Sequence, residues 1–371
     1  MNIVRRTLTT MASSRMKSWF PTTSYPPIIL APMAGVTNPK LASEVTKAGG
    51  LGFIQGGKDF EPESKGVEDL ENQLAQARKY LGLGAPANDD ASTLPIGVGA
   101  LTLAPSTKHF GETAVPILRR HRPAAVWLFA PPPEVPDTIP SVVKALKSGS
   151  GSGAWVPKVV VQVGTVDAAR EAAKGGADII VAQGVDAGGH QWKQGSGVIS
   201  LVPEISDLVH NEFPDRDIAV WAAGGIADGR GVAAALALGA EGVVLGTRYI
   251  VASESDADAL KKKAIISTSD GGKTTIKSQF HDSIQGTTFW PGIYDGRAII
   301  TESYQDHENG VPLDENVKKF KAAKESGDAS RIVTWSGTGV GLIKEELPAA
   351  EITKKVREDA LKVITGFKSL I

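Results

Sequence analysis

Eight short apolar runs, each followed by a stretch with helical or small-residue spacing, constrain this chain more than any other feature. Ile28–Ala31, Leu51–Gln55, Pro95–Gly99, Ala125–Phe129, Val159–Val163, Asp178–Gln183, Ile218–Ala223 and Gly242–Gly246 are short and rich in β-branched residues. They lack the polar–apolar alternation of a half-exposed strand, so each reads as a strand buried on both faces. Strands of that kind alternating with helices form a parallel sheet, and eight of them argue for a closed (β/α)8 TIM barrel rather than an open sheet. Helix punctuation supports the reading. Asn38 stands before Pro39 as an N-cap with proline at the first helical position, Thr165 can cap the next-but-three helix, and Gly49 and Gly175-Gly176 follow helix ends.

The barrel is expected over residues 21–250, with a helical extension over 251–371 that carries Trp290, Tyr294, Tyr304 and Trp335 and closes in an amphipathic helix near Ile352 to Ile364. Residues 1–20 are expected to be a flexible leader. Its first 17 residues hold Arg5, Arg6, Arg15 and Lys17 with no acid, the composition of a mitochondrial transit peptide. A plain unstructured leader, or a start at Met11, is the alternative, so the location is cytoplasmic, or mitochondrial if the leader directs import. The run Ser148-Gly-Ser-Gly-Ser-Gly153 follows a helix and precedes a strand, the reverse of a dinucleotide-binding turn, and reads as a flexible connection. Gly271-Gly-Lys-Thr274 lacks the first glycine and the preceding strand of a nucleotide P-loop and is set aside.

Composition narrows the chemistry. Forty basic and 41 acidic residues leave a net charge of −1, so no nucleic-acid or membrane-surface partner is implied, and no apolar run reaches the roughly 20 residues that cross a bilayer. Cysteine is absent, which excludes disulfides, cysteine-ligated zinc, iron–sulfur clusters and a thiolate nucleophile. No metal is called for. The chemistry must come from histidine, acid, lysine or hydroxyl groups, or from a bound cofactor. Composition leaves the association state, a homodimer included, open.

The sixth run stops in Gln183-Gly-Val-Asp-Ala-Gly-Gly-His190. In a parallel barrel the carboxyl ends of the strands carry the active site, so glycines there permit close backbone approach and His190 is a candidate for proton transfer. The seventh run ends in Ala223-Gly224-Gly225 and the eighth in Gly246-Thr247. Loops after strands seven and eight are the usual phosphate cradle of this fold. A phosphorylated cofactor over the barrel mouth follows, and flavin mononucleotide (FMN) is the natural candidate. Its ring would rest on Pro32, Met33 and Ala34 at the end of strand one, with Gln183 in reach of the ring or ribityl chain.

The set Ala31-Pro-Met-Ala-Gly35, Ala182-Gln-Gly-Val-Asp-Ala-Gly-Gly-His190, Ala223-Gly-Gly225, Gly246-Thr247 and Trp335-Ser-Gly-Thr-Gly-Val-Gly-Leu342 resembles the nitronate monooxygenase family, formerly the 2-nitropropane dioxygenases, in its fungal form. The similarity runs from about Trp19 to the C-terminus. It implies an FMN enzyme that oxidises alkyl nitronates, with neutral nitroalkanes as a further substrate class, using O2 to give carbonyl compounds and nitrite through a flavin semiquinone. Position by position it implies His190 as proton acceptor and Ala223, Gly224, Gly225, Gly246 and Thr247 on the FMN phosphate. Ala31, Pro32, Met33, Gln183, Gly188 and Gly189 would complete the flavin site. Many bacterial members have Asn at the end of strand three, where this chain has Gly99. The runner-up is an FMN-dependent reductase using NADH or NADPH, of the enoyl-acyl carrier protein or quinone reductase type, on the same barrel. Inosine-monophosphate dehydrogenase barrels are set aside because they attack with cysteine, and a phosphate-binding barrel without redox chemistry is the remaining contrast.

Overall fold

A computed structural model describes residues 15–84, 92–149 and 155–367. The leader up to residue 14 and residues 150–153 of the glycine–serine connection lie outside the described residues. Among the described residues eleven strands run in chain order as β1 Ile28–Leu30, β2 Phe53–Gln55, β3 Leu94–Leu101, β4 Pro123–Phe129, β5 Lys158–Val163, β6 Ile179–Gln183, β7 Gly189–Trp192, β8 Ala219–Ala223, β9 Gly242–Leu245, β10 Thr275–Ser278 and β11 Tyr294–Ile299. Eight are parallel neighbours in the order β1-β9-β8-β6-β5-β4-β3-β2. The ring closes where Leu51 N–H donates to the Ile28 carbonyl at 2.9 Å and Leu30 N–H to the Leu51 carbonyl at 3.0 Å. The fold is the expected (β/α)8 barrel, and each of the eight apolar runs supplies one of its strands.

Large side chains fill the barrel interior, as the packing of a small closed sheet demands. Phe53, Trp127 and Trp221 meet there, with the Phe53 and Trp127 ring centroids 5.3 Å apart and nearly perpendicular. Two strand glycines make the room. A Cβ at Gly97 would collide with the Phe53 ring, and one at Gly242 would lie 2.8 Å from Trp221. Of the leader expected over 1–20, residues 15–19 are helical. Met16 and Phe20 are buried there, and Trp221 Nε1–H donates to Met16 Sδ at 3.5 Å. These two apolar side chains seal the barrel floor, each stabilising the fold by about 2 kcal/mol on burial.

The region after residue 250 is largely helical but carries two strands. β10 and β11 form an antiparallel sheet with β7 in the order β10-β11-β7, so a segment of the β6–β8 connection is paired to the extension. The closing helix, Ala349–Phe367, straps the extension to the barrel. Its Thr353 hydroxyl is 2.7 Å from the buried Tyr249 hydroxyl, and its Arg357 donates to the Ala48 carbonyl at 2.9 Å. Asn38 and Thr165 cap their helices as expected, accepting from Leu41 N–H and Ala168 N–H. Among the described residues no helix is long and apolar enough to cross a membrane.

Candidate active site

The carboxyl end of β6 is held by a ladder of side-chain amides. Trp127 Nε1–H donates to Gln162 Oε1 at 3.0 Å, Gln162 Nε2–H to Gln183 Oε1 at 2.8 Å, and Gln183 Nε2–H to the His190 carbonyl at 3.2 Å. Buried amides are stable inside a barrel only when paired, and here the pairing ends on the histidine. Gln183 therefore already spends its carbonyl oxygen and one N–H on the protein. Gly189, at φ +70 with open space where a Cβ would stand, turns the chain into β7, and β11 pairs Gly296 opposite His190.

The His190 imidazole is fixed on several sides. It lies face to face with Trp290, with centroids 3.7 Å apart and planes 9° from parallel, and Trp335 approaches at 4.8 Å. Its Nε2 is 3.0 Å from both carboxylate oxygens of Asp282. Asp282 is buried, and the Thr287 hydroxyl donates to its Oδ1 at 2.7 Å. Next to it, His281 Nε2–H donates to the Ile276 carbonyl at 3.2 Å. Burial pushes the His281 imidazole down to about 4, so at neutral pH it is uncharged and its Nε2 carries the proton that the carbonyl accepts.

The predicted phosphate loops stand beside this group, because β6 and β8 are in register with Gln183 opposite Ala223. Gly224 and Gly225 take φ +114 and +70, and a Cβ at Gly224 would lie 2.7 Å from the Gly184 carbonyl. Only glycine meets both demands. Gly246 opens toward Met33 Sδ and the Ala31 methyl, 3.6 and 3.9 Å from where its Cβ would be. Thr247 Oγ1 accepts from Gly337 N–H at 3.0 Å, and Thr338 N–H donates to the Asp186 carbonyl at 3.0 Å. The Trp335–Leu342 segment thus crosses the β6, β8 and β9 loops. Gly188 passes beneath it, where a Cβ would be 2.5 Å from Gly337 N. Ala31, Pro32, Met33, Gln183, Gly188, Gly189, His190, Ala223, Gly224, Gly225, Gly246 and Thr247 all gather at the carboxyl ends of the strands. Gly99 has a local reason, since a Cβ there would lie within 2.6 Å of Pro32 Cγ. The proline ring fills the place that a side chain on β3 would take.

Comparison with known proteins follows the same lines. The family model described as nitronate monooxygenase matches residues 143–359, a span that includes His190, both glycine loops and Trp335. A nitronate monooxygenase from Neurospora crassa is 51% identical over 369 residues, covering 96% of this chain and 95% of the relative.

The chain belongs to the nitronate monooxygenase family. Solved structures agree on the fold: a nitroalkane oxidase from Streptomyces ansochromogenes superposes with a TM-score of 0.70 at 24% identity over 95% of this chain and 99% of its own. FabK from Thermotoga maritima gives 0.69, also at 24% identity, over 96% and 99%. Such similarity at that identity speaks for the barrel and leaves the reaction to the site.

Sequence reading missed Gln162, Asp282, Thr287 and Trp290. Asp282 is 92 positions from His190, and no local spacing links them. The only available hint was chemical, a Trp and an acid in an otherwise polar stretch. A polar groove of about 750 Å³, lined by Asn38, Gln55, Asn72, Gln76, Tyr80 and Asp256 among others, includes none of the predicted site residues.

Proposed function

We propose that this chain is an FMN-dependent nitronate monooxygenase that oxidises alkyl nitronates with O2 to carbonyl compounds and nitrite. One observation carries the reading: the His190 imidazole is held at the mouth of a barrel whose β6, β8 and β9 ends are lined by glycine. The residues fit FMN. Ala223, Gly224, Gly225, Gly246 and Thr247 would hold the phosphate through backbone amides and a hydroxyl. Ala31, Pro32 and Met33 would flank the ring, and the space left by Gly189 and Gly246 is what a bulky planar group needs beside backbone. When bound, FMN supplies one-electron acceptance from the substrate and transfer to O2.

The protein's own contribution is at the α-carbon. A neutral nitroalkane must lose an α-proton, and an imidazole, with a reference pKa near 6.5, is suited to accept it at neutral pH. A nitronate supplied as the anion needs no base. Trp290 and Trp335 wall the imidazole from bulk water and restrict how a substrate can approach it.

The experiment is oxygen uptake by the flavin-loaded protein with a small alkyl nitronate and no reduced pyridine nucleotide. Uptake with nitrite release is expected. His190→Asn should lower neutral nitroalkane turnover by about 10²-fold or more, the usual contribution of a general base, and leave nitronate turnover within a few-fold. The rival on the same barrel is an NAD(P)H-dependent reductase. Absence of uptake together with rapid flavin reduction by NADH or NADPH would establish that rival.

A further inference from the structure

We infer that Asp282 is a positioning residue that fixes the tautomer of His190, so that the proton is taken up at Nδ1. The inference rests on His190 being the base, and goes beyond it by naming the accepting atom and the group that selects it.

A neutral imidazole has one N–H and one lone pair, and the partner of one nitrogen decides the role of the other. Nε2 faces both oxygens of Asp282 at 3.0 Å. A carboxylate can only accept, so Nε2 must carry the hydrogen. Asp282 is itself committed: Thr287 donates to Oδ1 at 2.7 Å, and Thr287 N–H donates to the Asp282 carbonyl at 3.0 Å. Among the described residues nothing hydrogen-bonds to His190 Nδ1, and the side chain keeps 15% of its surface open. The ring cannot readily flip to exchange its nitrogens. Trp290 stacks on one face at 3.7 Å, Trp335 lies at 4.8 Å, and the backbone is pinned by pairing to Gly296 and by Gln183.

Other charged groups do not take over this role. His281 is bonded to the Ile276 carbonyl and is uncharged at neutral pH. Arg297, opposite Gly189, spends its guanidinium on the Val185 carbonyl and on Thr275, and Asp295, opposite Gln191, is 3.4 Å from Lys277.

The step balances simply. The α-C–H bond of the nitroalkane breaks, its electron pair remains with the substrate as the nitronate, and the proton forms an N–H bond at Nδ1. The imidazolium so formed keeps its Nε2–H on the Asp282 carboxylate, which stabilises the new charge.

Asp282→Asn is the test, because it preserves shape and reverses polarity. An amide N–H pointed at Nε2 makes that nitrogen the acceptor and moves the hydrogen to Nδ1, where it blocks proton uptake. Neutral nitroalkane turnover should fall about 10²-fold or more, the scale of lost general-base catalysis, with nitronate turnover changed by less than about 3-fold. The second readout is ¹⁵N NMR of histidine-labelled protein, which needs no substrate. Wild type should show the Nε2–H tautomer for His190, assigned by its loss in His190→Asn, and Asp282→Asn the Nδ1–H tautomer. An Nδ1–H tautomer in wild type overturns the inference even if the variant does not fold. Equal loss on both substrates, or unchanged turnover of neutral nitroalkane, also overturns it. Failure of the wild type to turn over any nitronate would instead remove the parent reading.

Discussion

Glu241 offers a measurable consequence of how the barrel floor is built. Its carboxylate lies beside Arg15, 3.2 Å from the guanidinium Nε, with Asp217 bound to the same guanidinium at 2.8 Å. Burial, reinforced by Asp217 and opposed by Arg15, pushes the Glu241 carboxyl from 4.5 up to about 7. A carboxyl raised on folding behaves opposite to the usual one: the native state holds a proton that the unfolded chain has already released. Stability from this group is therefore present below pH 4.5 and declines as pH rises toward 7. A shift of that size corresponds to about 3 kcal/mol. Glu241→Gln does not titrate, so its stability relative to wild type should improve by about that amount between pH 5 and pH 8. With an unfolding entropy of about 0.8 kcal/mol/K for a chain of this length, the gap in melting temperature should widen in the variant's favour by about 4 °C. Thermal melts of both proteins at one scan rate and at both pH values measure it. A gap that stays constant, or moves in favour of wild type at pH 8, would show that Arg15 keeps Glu241 ionised and refute the reasoning.

Two substitutions test the close contacts around the candidate flavin site. Gly99→Asn forces a side chain into the place of the Pro32 ring and should cost about 1–3 kcal/mol, as overpacking does, with weaker FMN retention on gel filtration; retention and melting temperature equal to wild type would sink it. Gly188→Ala puts a methyl 2.5 Å from Gly337 N, where the obstruction is backbone and must move as a unit. We expect a similar loss of stability, and a larger fall in FMN affinity by flavin-fluorescence titration than Gly272→Ala, whose Cβ meets open space. Equal affinities in the two variants would show that the Trp335–Leu342 crossing does not shape the site.

Legibility divides along the range of the interactions involved. Val159–Val163 and Ile179–Gln183 could be read as strands because a segment buried on both faces must be apolar throughout, and that requirement is local. The helix caps at Asn38 and Thr165 and the positive-φ glycines at 224 and 225 were equally local, since each satisfies its own backbone. His190 was legible as well, because it follows a strand that an eightfold pattern had already numbered. By contrast β7, Gly-His-Gln-Trp, is four residues long and has neither alternation nor an apolar run; only pairing with β11, about a hundred residues later, makes it a strand.

Sequence alone determined the barrel, the end of it at which the candidate site residues gather, and the absence of thiol chemistry, since strand burial, chain order and composition need no knowledge of distant partners. Tertiary structure alone decided what surrounds the histidine. Asp282 and Trp290 reach it, and Thr287 holds Asp282, across a chain separation of about 90–100 residues, by the docking of the extension onto the β6–β8 connection. It also decided that residues 15–19 belong to the folded unit. Met16 and Phe20 are ordinary apolar residues in a basic leader until the open floor of the barrel gives them Trp221 to cover. In each case the deciding term is burial against a partner remote in sequence, which no local pattern encodes.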